Sequence, residues 1–568
     1  MINRRTFCSL TAGALFGGGL ASDQSAPAES ASKLRFTHER TGDGPFSVSP
    51  NRRPPHILLI SADMVGPDLY HPARPFSQHV RIPAIRSLTQ DGTFFSNAFC
   101  TVPLCSPSRA SYLTGRYSYV QGNSERSPEG LATELRKDDI IFPEYLKAAG
   151  YITRQVGKCH VGADKFIDAF GDNDQPWDRW SPPVFDDDDF LAYQRSLGVK
   201  PQKYSREIVF KMQDRATPGN SVGGWIVQED GKPFPIEAQY SYYLGRKVIE
   251  TVEGFVANES LHHHPLYLQL DIFDPHQPFS IPAGMDDRER ELRKIMTVPD
   301  SWRTAKDRDF QRGADEPEIV DIYRRYWGIY DPEELINYRV AYALQMEVVD
   351  RVIGMVIARI KELGLYDEMM ILFISDHGEM GGRRAMVDKG VYLYPDVVRV
   401  PMVLKLPAAM PRKQATVESA VSLLDVSQTI FDLAGIRPEA KFDGVSLLAA
   451  LDSGKGDEAR TLLFFGGWHV GVNFDCGIQH LAADGRRYLY SYNSTSQVDE
   501  LFDLGSEDAT NLIGKPEYAS VRAELIHRLG AALCSDPRWA GYWAEFRIAR
   551  FHDLPKTTGD MQLFAIPD

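Results

Sequence analysis

From His56 the chain runs Ile57-Leu58-Leu59-Ile60-Ser61-Ala62 and then meets an acid, Asp63. A near-continuous apolar run of this length, closed by a polar residue, predicts a strand covered on both faces, as in a parallel sheet. Similar runs predict strands over Thr93–Phe99, Tyr151–Gly157, Leu266–Phe273, Met369–Ser375 and Pro401–Leu406. Helical patterns fall between them: Pro83–Gln90, Ser108–Leu113 closed by Thr114-Gly115, Ile141–Ala149 and Val426–Ala434. The longest is Tyr342–Leu363, whose Leu344, Val348, Val352, Val356, Ile360 and Leu363 share one face and which Gly364 ends. Strand and helix in alternation predict an α/β fold with a large, mainly parallel central sheet.

The pattern weakens in three places. Residues 22–54 are rich in Ser, Pro, Gly and charge, and predict a linker. Residues 165–245 lose clear periodicity and read as an insertion carrying Trp177, Trp180, Trp225 and the acidic run Asp186–Asp189, which reads as solvated surface. Beyond about residue 450, shorter strands such as Leu462–Phe465 and Tyr488–Tyr492, with a helix near Val521–Cys534, predict a small α+β subdomain over 451–568 with an antiparallel sheet. A length of 568 residues agrees, exceeding the roughly 250–300 over which one core keeps growing.

Composition excludes several classes. With 43% hydrophobic and 25% charged residues the chain is neither disordered nor fibrous. Lys plus Arg is 63 against 77 Asp plus Glu, a net charge of −14, which argues against nucleic acid but leaves room for a local cationic pocket. Six scattered cysteines without a CxxC pair form neither a disulfide scaffold nor a zinc site. Arg4-Arg5-Thr6-Phe7 heads a short, glycine-rich apolar run to Ala21, the form of a twin-arginine export signal over residues 1–21. That run is shorter than the roughly 20 residues a bilayer needs, so the expectation is a periplasmic or secreted protein without a membrane span.

Candidate chemistry gathers at strand ends, where open α/β sheets bind ligands. Strands end in Asp63, in Asp274-Pro275-His276 and in Asp376-His377, and another runs into Lys158-Cys159-His160. An acid after a strand is commonly a helix cap and a lone His a satisfied polar group, but four such ends in one fold point to a divalent cation. Lys158, His160 and Lys389 add positive charge of the kind that holds sulfate or phosphate. His262-His263-His264 reads as an exposed loop.

Cys105-Ser106-Pro107-Ser108-Arg109 followed by Thr114-Gly115 allows a structural Cys, a thiolate lowered by a helix start, or a modification motif. C-x-P-S-R with T-G resembles the type I sulfatases, in which this Cys is oxidised to formylglycine. The resemblance runs from Pro55 to about Leu512. It takes in Ile57–Asp63, Pro83–Ala98, Gly157-Lys158-Cys159-His160-Val161-Gly162, Asp274–Phe279, Ser375-Asp376-His377-Gly378-Glu379, Lys389-Gly390 through Arg399-Val400-Pro401, and Glu500–Leu504. It implies an alkaline-phosphatase-like sandwich over 55–450 plus the small C-terminal sheet domain. Where the family places a second acid after the first, this chain has Met64, a soft donor and a poor calcium ligand. The implied metal therefore rests on Asp63, Cys105, Asp376 and His377, with calcium favoured over magnesium. Asp68, in the same loop, is not counted among the ligands.

The resemblance further implies roles. Formylglycine at 105 attacks sulfur, Arg109 holds it, Lys158 and Lys389 neutralise the sulfate, His276 protonates the departing alcohol and His160 takes a proton from the second hydroxyl. It implies a maturation enzyme as a partner. Sulfate-ester hydrolysis is the expected activity; a phosphodiester or phosphonate monoester hydrolase and a non-catalytic sulfoglycan-binding protein are the alternatives. Export and the three tryptophans of the insertion favour a sulfated carbohydrate, since aromatic faces stack on sugar rings.

Overall fold

Seven strands form the central sheet, in the order Thr416–Val417, Thr93–Phe95, Met402–Lys405, Met369–Ser375, His56–Ala62, Leu266–Ile272 and Ile152–Gly157. This is seen in a computed structural model that describes residues 36–38, 54–118, 135, 139–170, 177–282, 284–410, 415–458, 460–550 and 553. The four strands from Met369–Ser375 to Ile152–Gly157 run parallel, and Met402–Lys405 is antiparallel to both its neighbours. The mainly parallel sheet expected from the patterning is therefore present, with one reversed strand.

Both faces are covered, which is why the strands read as unbroken apolar runs. Successive side chains of a strand point to opposite faces. Leu58, Ile60 and Ala62 enter one apolar cluster and Ile57 and Leu59 the other; Ile371 and Phe373 divide from Met370, Leu372 and Ile374 in the same way. Helix Pro332–Glu362 packs on the first face through Leu344, Val348, Val352 and Val356. Helices Cys105–Thr114, Phe142–Ala148 and Asp425–Ala434 cover the second. Each such buried aliphatic side chain contributes roughly 1.5–3 kcal/mol.

Register then sets the working edge. Ala62 lies opposite both Ser375 and Ile272, and Gly157 opposite Asp271. The residues that follow these strand ends, Asp63, Asp376, Lys158 and Phe273, thus leave the sheet side by side.

Several expectations need correction. The long helix starts at Pro332 rather than Tyr342, because Asp331 caps it by accepting from the Glu333 N–H and Pro332 fits the first turn. The run Thr93–Phe99 divides: Thr93–Phe95 joins the main sheet, while Ala98–Phe99 pairs with Val421–Ser422. Within the expected linker, Phe36–His38 pairs antiparallel with Ile436–Pro438. The export segment 1–21 lies outside the described residues. The stretch 165–245 is ordered by helix Asp188–Ser196, the antiparallel pair Gln202–Lys211 and Pro218–Gln228, and the start of helix Tyr240–Ala257.

The C-terminal part holds the expected antiparallel sheet, made of Leu462–Trp468, Val472–Leu481, Arg487–Asn493 and Glu500–Asp503, with helix Ala519–Cys534 against it. Tyr394 Oη donates to Glu500 Oε1 at 2.9 Å, tying this sheet to the larger unit. Among the described residues no helix is long and apolar enough to cross a membrane.

Candidate active site

Cys105 is the first residue of helix Cys105–Thr114. Leu104 enters extended (φ −139°, ψ 144°), and Pro107 is tolerated because first-turn N–H groups have no partner within the helix. Gly115, at φ 64°, ends the helix in the left-handed conformation that glycine adopts freely. Residues four apart share a helix side, so Arg109 lies beside Cys105.

Cys105 Sγ is 3.1 Å from His377 Nε2 and 3.5 Å from Asp63 Oδ1. One ligand atom from each of Asp63, Cys105, Asp376 and His377 lies within 4.8 Å of the others, and all four residues are buried. Arg109, 0% exposed, carries three acids: its Nε donates to Asp376 Oδ2 at 2.9 Å, Nη1 lies 3.3 Å from Asp271 Oδ1, and Nη2 lies 3.6 Å from Asp63 Oδ2. Lys158 Nζ donates to the same oxygen, Asp63 Oδ2, at 2.6 Å, leaving Oδ1 toward Cys105 and His377. Lys158 reaches this place because Gly157 precedes it at φ 110°, where a Cβ would lie 2.0 Å from the Asp271 carbonyl oxygen.

A second pair stands alongside. Lys389 Nζ is 2.7 Å from His276 Nε2, and the His276 and His377 rings are 6.3 Å apart. His160 follows Lys158 and Cys159 as a buried residue in the left-handed region (φ 55°). His262, His263 and His264 are exposed and precede strand Leu266–Ile272, at the opposite end from Asp271 and His276. Asp68 is engaged elsewhere, accepting from Arg383 Nη1 and Nη2 at 2.9 Å each and from Arg339 Nη2 at 3.0 Å. Those guanidinium groups hold its carboxyl well below the usual range against the opposing effect of burial.

Burial makes every charge here depend on its neighbours. For Asp63 burial is the largest influence and works against ionisation, but Lys158, the His377 hydrogen bond and Arg109 together outweigh it and the carboxyl titrates well below normal. For His377 burial opposes charge, and Asp376 and the Cys105 sulfur hold the imidazolium instead. His276 goes the other way: burial and then the Lys389 ammonium push it down to about 3, so it is neutral near pH 7.

The donor set suits a hard divalent cation. It offers two carboxylates and an imidazole Nε2 whose Nδ1 is tied to the Gly378 carbonyl oxygen at 2.9 Å, a hydrogen bond that fixes the ring toward the cluster. Met64 adds no oxygen from its side chain, which belongs to an apolar cluster. Its backbone takes the left-handed region (φ 61°), its N–H donates to Asp376 Oδ1 at 3.1 Å, and its carbonyl accepts from Tyr342 Oη at 2.6 Å.

One residue of the site escaped the sequence reading. Asp271 lies inside strand Leu266–Ile272, where it accepts from Gln155 Nε2 at 2.9 Å and Gln269 Nε2 at 2.8 Å while facing Arg109. Burial, despite Arg109, raises its carboxyl to about 6. The signal was present: Tyr267, Gln269 and Asp271 alternate with Leu266, Leu268, Leu270 and Ile272, a period of two that puts the polar row on the face of the cysteine helix.

A buried thiol heading a helix, acids and an imidazole gathered for a cation, and lysines able to meet an oxyanion, all on one edge of this sheet, define a hydrolase of the alkaline-phosphatase-like class. Within it the chain belongs to the sulfatase family, which it matches over residues 55–436, and it is a sulfuric ester hydrolase. Residues 382–533 also match the C-terminal family of N-sulphoglucosamine sulphohydrolase. The chain is 23% identical over 482 residues to arylsulfatase K of Bos taurus, covering 82% of this chain and 80% of that one. It is 21% identical over 493 residues to an N-acetylglucosamine-6-O-sulfatase of Bacteroides thetaiotaomicron, covering 79% and 81%. Among solved structures it resembles a phosphonate monoester hydrolase from Silicibacter pomeroyi in fold, with a TM-score of 0.63, 20% identity, and coverage of 84% and 94%.

Proposed function

We propose that the protein removes sulfate from a sulfated carbohydrate after export by the twin-arginine route, using formylglycine at position 105 and a calcium ion held by Asp63, Asp376 and His377. The observation that carries this reading is the buried convergence of those three residues with Cys105, flanked by Arg109 and Lys158. The match to the sulfatase family and the N-acetylglucosamine-6-O-sulfatase relative support it.

The modified residue would supply a hydroxyl nucleophile, and the cation would polarise the ester oxygens. The protein's own groups do the remainder. Arg109 pins Asp376 and lies beside Asp63 and Asp271, so the carboxylates around position 105 keep fixed directions. Lys158 and Lys389 place positive charge where the sulfate oxygens gain negative charge. His276, neutral in the free enzyme, shares with Lys389 the proton destined for the leaving alcohol. An arriving sulfate raises the imidazole's proton affinity by its own charge, which brings that proton to Nε2 at the moment of bond breaking. His160 would accept the proton from the second hydroxyl as sulfate departs.

The test is co-expression with a formylglycine-generating maturation enzyme, mass spectrometry of the peptide containing Cys105 and Arg109, and sulfate release from a panel of sulfated glycans. An aldehyde at 105, sulfate release, and loss of about three orders of magnitude or more in Cys105→Ser are expected. Active protein carrying only thiol at 105 would overturn the mechanism. Faster cleavage of phosphonate monoesters than of any sulfate ester would favour the alternative seen in the Silicibacter pomeroyi fold relative.

A further inference from the structure

Beside His276 a cavity of about 340 Å³ opens between the insertion and the catalytic sheet. It lies at the lower end of the roughly 300–1,000 Å³ typical of small-molecule sites, a size for one ring rather than a chain. Phe273 forms the wall shared with the reaction centre: its ring centroid is 5.0 Å from that of His276, and Lys158 Nζ lies 5.5 Å from the same ring. Trp180 stands across from it, 6.5 Å from Phe273 and 6.3 Å from His276 between ring centroids.

Of the three tryptophans in the insertion, two are core residues. Trp177 is 7% exposed, and Trp225 is 8% exposed beneath the Arg206 guanidinium, 3.4 Å from its ring. Trp180 is 52% exposed and Phe185, at the same cavity, 64%. Large aromatic rings held open to water next to a catalytic histidine lose hydrophobic free energy unless something covers them. The polar wall is also incomplete. Gln239, 3% exposed, donates its Nε2 to the Ser280 carbonyl, while its Oε1 has no hydrogen-bond partner among the described residues. An acceptor there suits a hydroxyl donor.

Charge at the cavity favours an uncharged occupant. Arg179 is paired with Asp186 at 3.1 Å; Tyr204 and Tyr240 are pushed up by burial and stay neutral, and the other acid of the wall is Asp274, which accepts from Ser241 Oγ at 2.5 Å. One guanidinium faces two carboxyl groups, so a carboxylate or second sulfate on the entering ring would meet net repulsion.

We infer that this cavity seats the pyranose ring that bears the ester, that the ring is otherwise uncharged, and that Trp180 is the residue that selects it by stacking. The inference rests on the carbohydrate reading above and names the residues that enforce it. The ring face lies on Trp180, its hydroxyls reach Gln239, and the ester oxygen is delivered to His276.

The test compares kcat/KM for N-acetylglucosamine-6-sulfate, a sulfated hexuronate and 4-nitrophenyl sulfate in the matured enzyme, in Trp180→Ala and in Trp180→Phe. Trp180 is a surface position, so the variants fold, which thermal melting verifies. Loss of a stacking partner is expected to lower the ratio of the hexosamine sulfate value to the 4-nitrophenyl sulfate value about tenfold in Trp180→Ala, mostly through KM, with partial recovery in Trp180→Phe. An unchanged ratio in Trp180→Ala, or a hexuronate preferred over the hexosamine by the unsubstituted enzyme, would overturn the inference. Cleavage of 4-nitrophenyl sulfate without cleavage of any sugar sulfate would instead overturn the carbohydrate reading itself.

Discussion

Replacing Met64 with aspartate probes the residue that follows the first acid of the site, Asp63. The backbone accepts the change: residue 64 sits at φ 61°, a region where Asp is enriched over Met. The electrostatics do not, until a cation is present. A new carboxylate would join Asp63 and Asp376 in a buried cluster whose compensating charges, Arg109 and Lys158, are already shared. Two carboxylates about 5 Å apart at an effective dielectric of about 20 repel by about 3 kcal/mol, so metal-free Met64→Asp should be less stable by about that amount. A divalent cation reverses the sign, because one more hard oxygen enters its shell; a tenfold tighter Kd, about 1.4 kcal/mol, is expected. Melting reads that gain poorly. At about 2 cal/mol/K per residue a chain of 568 residues has an unfolding entropy near 1.2 kcal/mol/K, so the shift is only about 1 °C. Calorimetric titration of chelator-treated protein with calcium measures it directly. A Kd equal to or weaker than that of the unsubstituted protein would refute the premise that a carboxylate at residue 64 turns from the apolar cluster that holds the Met64 side chain to the cation.

Three further outcomes are expected. Lys389→Met removes an ammonium 2.7 Å from His276 Nε2, so the imidazole rises from about 3 toward its ordinary value of about 6.5 and, as the only remaining proton donor of the pair, sets the basic limb of the kcat/KM profile; a basic limb unchanged from that of the unsubstituted enzyme would sever the pair. Asp68→Asn breaks a buried contact to Arg383 and Arg339, costing about 3 kcal/mol at pH 7. Because the folded carboxyl titrates below its unfolded value of about 4, that deficit is full above pH 4 and shrinks as pH falls further, as guanidinium unfolding at the two ends would show, while calcium affinity stays unchanged. Changing Arg4 and Arg5 to Lys should leave precursor in the cytoplasm of an export-competent host, and normal export of that variant would rule out the twin-arginine route.

The edge that gathers Asp63, Lys158 and Asp376 was legible because each of its strands is covered on both faces, so an apolar run ends abruptly where these residues leave the sheet. Strand direction was not: Met402–Lys405 has the same apolar pattern as its parallel neighbours, and pattern carries no polarity. Asp271 was hidden because polar atoms inside an apolar run signal a site only once the facing helix is known to carry Arg109. The pair Gln202–Lys211 and Pro218–Gln228 escaped for another reason. Its register shifts between Tyr204 and Arg206, Glu207 and Val209, and Val209 and Lys211, and each irregularity disrupts the alternation by which a half-buried strand is recognised. The tryptophans show the same limit, since composition placed three in the insertion but only packing separates Trp180 from the buried Trp177 and Trp225.

Cys105 is 0% exposed, and this burial would set a clock on the modification proposed above. Under the proposed reading, a maturation enzyme would not reach a thiol enclosed by Asp63, Asp376 and His377, so oxidation to formylglycine would belong to the time before helix Cys105–Thr114 docks. His377 lies 272 residues downstream. At synthesis rates of about 5–20 residues per second, that distance leaves roughly 14–54 s between the emergence of the cysteine and the emergence of the strand end that seals it. Under that reading the separation in sequence between Cys105 and its last enclosing partner would act as a timer, and variants that folded a shortened chain around Cys105 sooner would escape modification in greater proportion.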